Sequence, residues 1–250
     1  MAEIVLHNVR REAPWEWLAL GWRDLVQAPV LSLSLGAVFV LIGLALSAGL
    51  FAAGYSAAIP AAISGFAVVA PLFAIGFYQI SRTLDAGRKP GLKDLFSLHA
   101  DTVSQIGFLG VLLIILLLVW ARLAQFIYAY FTNGVYLPLD DFTAFVLTDS
   151  AGLALLIVGG LTGGVLAIAA FAISALSFPM LVDKDTDAVT ALTASVNAVR
   201  RQPFVMLTWA AIIAVMTLAG GALFIAGLMV VFPWLGHASW RAYRSFIEES

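Results

Sequence analysis

Five apolar runs set the terms for this chain: residues 31–55, 61–80, 106–131, 152–180 and 204–235. A helix needs about 20 residues to cross a hydrocarbon core of roughly 30 Å, and every run reaches that length. Of 250 residues 62% are hydrophobic and only 11% charged, against about 25% charged in ordinary soluble domains. Such a chain belongs in lipid. Its formal charge of −2 offers no basic stripe for nucleic acid. The absence of cysteine excludes disulfides, thiolate metal sites, iron–sulfur clusters and cysteine nucleophiles. The run Ile4-Val5-Leu6, followed by Arg10, Arg11 and Glu12, is too short for the apolar core of a cleavable signal.

The last run holds 32 residues, roughly ten more than one span needs. Gly220-Gly221 lie at its middle and can form a tight turn. Charge favours that turn. Arg200-Arg201 precede the run and Arg241 and Arg244 follow it, and basic residues gather on the cytoplasmic side. A hairpin keeps both clusters there. The expected fold is therefore an all-α polytopic membrane protein with six transmembrane helices and both termini inside. Twelve of the thirteen lysines and arginines then face the cytoplasm, Arg122 alone excepted.

The spans read as three hairpins, each preceded by a cytoplasmic amphipathic helix, in a single membrane domain over 1–250. Its parts are an interfacial N-terminal segment 1–30, hairpin 31–80, cytoplasmic loop 82–105, hairpin 106–180, amphipathic segment 183–203, hairpin 204–240 and tail 241–250. Three prolines close the hairpins: Pro71, Pro179 and Pro233. After the first and the last an aromatic follows by seven positions (Tyr78, Trp240) and an arginine by eleven (Arg82, Arg244). Repeats in one orientation imply pseudo-symmetry about the membrane normal. In the first amphipathic segment Trp15, Leu18, Trp22, Leu25 and Val26 share a face, with Glu16, Arg23 and Asp24 away from it. That face suits the headgroup plane or the underside of a helix bundle. The second half of the 82–105 loop, 92–103, also reads as amphipathic.

Chemistry in a membrane is marked by polar groups inside spans, and no Asp or Glu lies within the six. Arg122 fits a lipid or anion contact beside Asp140 or Asp141, but its place one turn from a span end favours snorkelling to the interface. His237 stands among Trp234, Trp240 and Tyr243; with Trp15 and Trp22 these aromatics read as interfacial anchors, so a metal or haem is not required. Asp183, Asp185 and Asp187 open like a calcium loop, yet Ala188 and Ala194 stand where its glycine and glutamate belong, which favours helix capping. Gly159, Gly160, Gly163 and Gly164 form overlapping small-xxx-small pairs, a signal of close helix packing within the chain or with a partner. No catalytic residue, cofactor or metal is expected.

Gly21-Trp22-Arg23-Asp24-Leu25 with Ala28-Pro29, Gly76 to Arg82, Ser177 to Asp183, and Gly236 to Arg244 resemble the hallmarks of DUF2189, a family of bacterial integral membrane proteins of unknown function. The resemblance extends over nearly the whole chain and implies a proteobacterial inner-membrane protein. It supplies no activity. The expectation is a non-catalytic accessory, assembly or scaffold component of a larger inner-membrane complex, a respiratory one among the options. Its partners are the lipid bilayer and a membrane protein or a second copy of the chain. The alternative is a channel or carrier for a small or lipophilic molecule, anchored at Arg122.

Overall fold

The computed structural model describes residues 6–222 and 224–247. Ile4 and Val5 of the N-terminal run, Leu223, and the last three residues of the 241–250 tail lie outside them. In chain order the helices are α1 (Ala13–Gln27), α2 (Pro29–Ala52), α3 (Ile59–Phe73), α4 (Ile75–Asp85), α5 (Ala100–Phe131), α6 (Leu139–Thr148), α7 (Ser150–Ser174), α8 (Ser177–Asp183), α9 (Ala188–Arg201), α10 (Pro203–Ala222) and α11 (Phe224–Ile247). No strand occurs among the described residues.

Proline punctuates this order. A residue before proline is pushed out of the α region, and proline is tolerated at the first helical position, where an N–H has no partner anyway. Ala28 (φ −132°, ψ 54°) and Gln202 (φ −129°, ψ 58°) take nearly the same conformation. Each joins an amphipathic helix to an apolar one through a single residue. The amphipathic helix expected over 92–103 does not form as a separate element: Asp94–Phe96 makes a 3₁₀ turn, and α5 begins at Ala100. Asp94 is the reason, because its carboxylate accepts from Gly91 N–H at 2.7 Å and its carbonyl from Ser97 Oγ at 2.8 Å. Such local bonds compete with a helix ladder.

Five stretches are long and apolar enough to cross a membrane: Pro29–Ala52, Ala67–Asp85, Ala100–Phe131, Ser150–Asp183 and Pro203–Ala222. Phe224–Ile247 is not among them; its second half carries His237, Arg241 and Arg244. The long connection 132–149 folds into α6 rather than running free.

The chain divides into two compact units. The first comprises Met1–Val40, Pro71–Gly110 and Phe171–Ser250. Here α1 packs on α11, and α4, α8 and α11 pack on one another, so the three proline-closed returns read from the sequence converge. Gly21 of α1 meets the α11 backbone so closely that a Cβ would lie 2.5 Å from Ala238 N. Gly36 of α2 comes against Met229 O and the Pro233 ring. Pro233, having no N–H, cannot bond the carbonyl of Met229 four residues before it, and glycine lets α2 press against that free oxygen. Trp17 is 2% exposed, 5.6 Å from Trp209 and 6.1 Å from Phe246 between ring centroids.

The buried face of α1 is thus Trp17, Gly21, Asp24 and Leu25, and of the expected Trp15 face only Leu25 belongs to it. Trp15 and Trp22 are exposed, and Trp22 touches Trp234 edge-on. Both faces of α1 are apolar enough to bury, and the closer backbone approach at Gly21 decides between them.

The second unit comprises Leu41–Ala70 and Val111–Ala170. Trp120 is its pin. Its Nε1 donates to Ala61 O at 2.9 Å, and its ring fills the space beside Gly65 and Gly163. Tyr128 and Tyr136 hydroxyls accept from Leu137 N and Ala57 N. Phe126, Tyr130, Leu147, Leu161 and Val165 are exposed, an apolar outside that fits lipid rather than water.

Candidate functional site

The first unit gathers polar side chains from α1, from α11 and from the ends of the apolar stretches. His237 of α11 is fully buried, its Nε2 2.9 Å from Ser32 Oγ and its Nδ1 2.8 Å from Ser81 Oγ. Ser81 in turn donates to Asp24 Oδ2 at 2.8 Å. Asp24 receives Arg241 in a bidentate fork, Nε to Oδ2 at 2.8 Å and Nη2 to Oδ1 at 2.6 Å. The third guanidinium nitrogen of Arg241 reaches Asp85 Oδ1 at 2.6 Å, and Trp240 Nε1 donates to Asp85 Oδ2 at 2.8 Å. A neighbouring cluster centres on Asp183, which accepts from Tyr243 O–H at 2.7 Å. Arg244 lies 3.7 Å from Asp183 and 3.9 Å from Asp85, and Arg82 lies 4.0 Å from Asp183.

Proton positions follow from counting. A carboxylate held in a bidentate guanidinium fork is ionised and only accepts. Ser81 spends its one proton on Asp24, so its oxygen must accept from His237 Nδ1–H. With that imidazole neutral, Nε2 accepts from Ser32. All donors run one way, from Ser32 to Asp24. Burial pushes the Asp24 carboxyl above its ordinary range, while its bonds to Arg241 pull it down. Burial, then the charge of Asp183, push the Tyr243 hydroxyl up. It therefore stays a donor.

A serine bonded to a histidine whose other nitrogen leads to a carboxylate is the arrangement that activates a nucleophile. Here it is sealed: Ser32, Ser81 and His237 are all 0% exposed, and Phe77 packs edge-on to the imidazole at 5.5 Å. A cleft of about 340 Å³ in the same unit is lined instead by Arg82, His99, Asp101, Asp183 and Lys184, among others, and by none of those three. Among the described residues no group of three His, Asp or Glu could hold a metal ion.

Several expectations change. Trp240 and Tyr243 are fully buried and hydrogen-bonded to Asp85 and Asp183, so they are core residues and not interfacial anchors. Trp234 is half-buried and donates to Leu18 O at 2.8 Å. Of the three aspartates read as caps, Asp187 caps α9, accepting from Thr190 N at 2.9 Å. Asp183 serves the ion-pair cluster. Arg122 is exposed, with Gln125 Oε1 at 3.3 Å, and makes no ion pair with Asp140 or Asp141. Of the four glycines only Gly163 is packed within the chain, where a Cβ would lie 3.2 Å from the Trp120 ring. Gly159, Gly160 and Gly164 face open space.

Asp24, Ser32, Ser81, Asp85 and Arg241 were not legible as a site in the sequence. One signal was available: the acids at 24, 85 and 183 all fall beside span ends that also carry a basic residue, Arg23, Arg82 and Lys184.

The profile of a family of predicted integral membrane proteins, DUF2189, matches residues 58–183, just over half of the chain. The chain belongs to the DUF2189 family. No curated protein and no solved structure matches it. The DUF2189 match takes in Ser81, Arg82, Asp85 and Asp183 but neither α1 nor α11, so it covers less than the resemblance implied. The acids of α4 and α8 lie inside the matched region, and their partners on α11 lie beyond it.

Proposed function

We propose that this DUF2189 protein is a non-catalytic, six-crossing protein of a bacterial cytoplasmic membrane, with both termini inside, serving as an accessory or scaffold component of a larger membrane assembly. The closed state of the His237 cluster carries this reading. Among the described residues, the serine–histidine–aspartate constellation suited to acid–base chemistry uses both imidazole nitrogens and both Asp24 oxygens to join α1, α2, α4 and α11, and its serines have no exposed surface. Buried polar networks of this kind rigidify and specify a fold. The open small-residue row Gly159, Gly160 and Gly164 supports association with a partner, since such rows let helix backbones approach. The carrier reading is weaker: its anchor, Arg122, stands exposed with no enclosing polar wall among the described residues.

The test is purification of the tagged chain from its native membrane in nanodiscs, with mass spectrometry of what accompanies it. A stoichiometric membrane-protein partner, lost in Gly160→Leu/Gly164→Leu, supports the scaffold reading. A lone chain carrying one small molecule at stoichiometry would overturn it in favour of a carrier.

A further inference from the structure

The first described residues of the chain are fastened to a point nearly 200 positions away. Val9 N–H donates to Gln202 Oε1 at 2.9 Å, and Gln202 Nε2 donates to His7 O at 3.0 Å. His7 N–H also reaches Phe246 O at 2.9 Å. Gln202 is the single residue between α9 and α10, so these bonds bring the Arg10-Arg11 pair to the junction that Arg200-Arg201 already occupy. Arg11 lies over the Phe204 ring at 5.0 Å. Arg10 pairs with Glu16 at 2.6 Å. Arg11, Arg200 and Arg201 are exposed and have no carboxylate partner among the described residues. Helix-end electrostatics account for one cation in the last turn of α9, but not for a third brought from the N-terminus by a dedicated side-chain clamp.

Below the cations the surface turns apolar at once. Phe204 is 59% and Leu207 44% exposed, one turn apart on the first turns of an apolar helix long enough to span a membrane. Exposed guanidinium groups above an apolar wall are complementary to a phosphate carried on acyl chains. A soluble anion would use the arginines and leave Phe204 and Leu207 without a role.

We propose that Arg11, Arg200 and Arg201, with Phe204 and Leu207 beneath them, form a binding site for the headgroup and upper acyl chains of an anionic phospholipid. The site lies in the first unit, and it does not depend on the scaffold reading.

Native mass spectrometry of the detergent-purified chain, titrated with phosphatidylglycerol or phosphatidylcholine, tests it. The wild type is expected to retain phosphatidylglycerol in preference. Arg11→Gln/Arg200→Gln/Arg201→Gln should weaken that binding about tenfold or more, since each basic contact at an anionic surface is worth several-fold. Arg88→Gln/Lys89→Gln/Lys93→Gln, which removes equal charge from the same unit, should leave it unchanged. Equal losses in both triples would overturn the proposal in favour of diffuse attraction. Displacement of the lipid by excess inorganic phosphate would also overturn it, assigning the arginines to a free anion. Should the arginine triple fail to fold, the wild type decides: raising potassium chloride screens exposed charges and should release phosphatidylglycerol, and retention of the lipid in high salt would contradict the site.

Discussion

At Asp24 two carboxylate oxygens receive three hydrogen bonds, from Ser81 and from two nitrogens of Arg241. The side chain is 3% exposed and that of Arg241 18%. Removing one partner of a buried pair costs more than the pair contributes, because the other charge is left behind. Asp24→Ala is therefore expected to destabilise the fold by roughly 2–4 kcal/mol, read as a fall in detergent melting temperature. Asp24→Leu/Arg241→Met, which removes both charges, should recover part of that loss; a double variant as unstable as the sum of its singles would contradict the pairing. Arg122→Gln should be silent in melting temperature and assembly, as its bond is to the neighbouring exposed Gln125. Asp187 gives a pH signature. Its bonds to Thr190 hold its carboxyl below the ordinary range, so its contribution is present above the unfolded pKa of about 3.9 and lost as pH falls through the lower folded value. Asp187→Ala should lower the melting temperature at pH 7, with the gap closing in acid; a gap independent of pH would reject the cap. None of the Asp24 partners was legible from the sequence, because Ser81 and Arg241 are far from it along the chain and their convergence depends on how α4 and α11 pack.

Among the elements, α1 and α7 make opposite predictions for the same substitution. A side chain at Gly21 meets the α11 backbone, which cannot give way, so Gly21→Leu should separate α1 from α11 and prevent a folded product or lower its melting temperature steeply. At Gly160 nothing lies within 4 Å of an added Cβ. Gly160→Leu should leave the melting temperature of the isolated chain unchanged and act only on association. Equal destabilisation by the two would contradict this packing. Helical periodicity found α1 and α9 correctly as helices, and apolar length found the long spans. Of the α1 face that periodicity picked out, only Leu25 is buried within the unit, because Trp17 on the neighbouring side is as apolar as Trp15 and Trp22 and packs on Trp209 and Phe246. Periodicity also read a helix into 92–103, where Leu92, Leu95 and Leu98 have the spacing but Asp94 turns the backbone back on Gly91 and Ser97.

For the whole molecule, the apolar runs and the three proline-closed returns were visible without coordinates, and the returns do meet in the first unit. What the runs could not fix is the number of crossings. Pro203–Ala222 has the length and composition of a span, whereas Phe224–Ile247 mixes an apolar half with a charged one. With six crossings the His237 cluster, Lys89 and Lys184 share the cytoplasmic side with both termini. The chain has no cysteine, so single cysteines at Lys89, Asn133, Lys184 and Gly221 can be mapped in intact cells with a membrane-impermeant maleimide. The proposed topology predicts labelling from outside at Asn133 and Gly221 and protection at Lys89 and Lys184. Protection at Gly221 together with labelling at Asn133 would contradict a third hairpin, and labelling at Lys89 or Lys184 would place the charged cluster on the wrong side of the membrane.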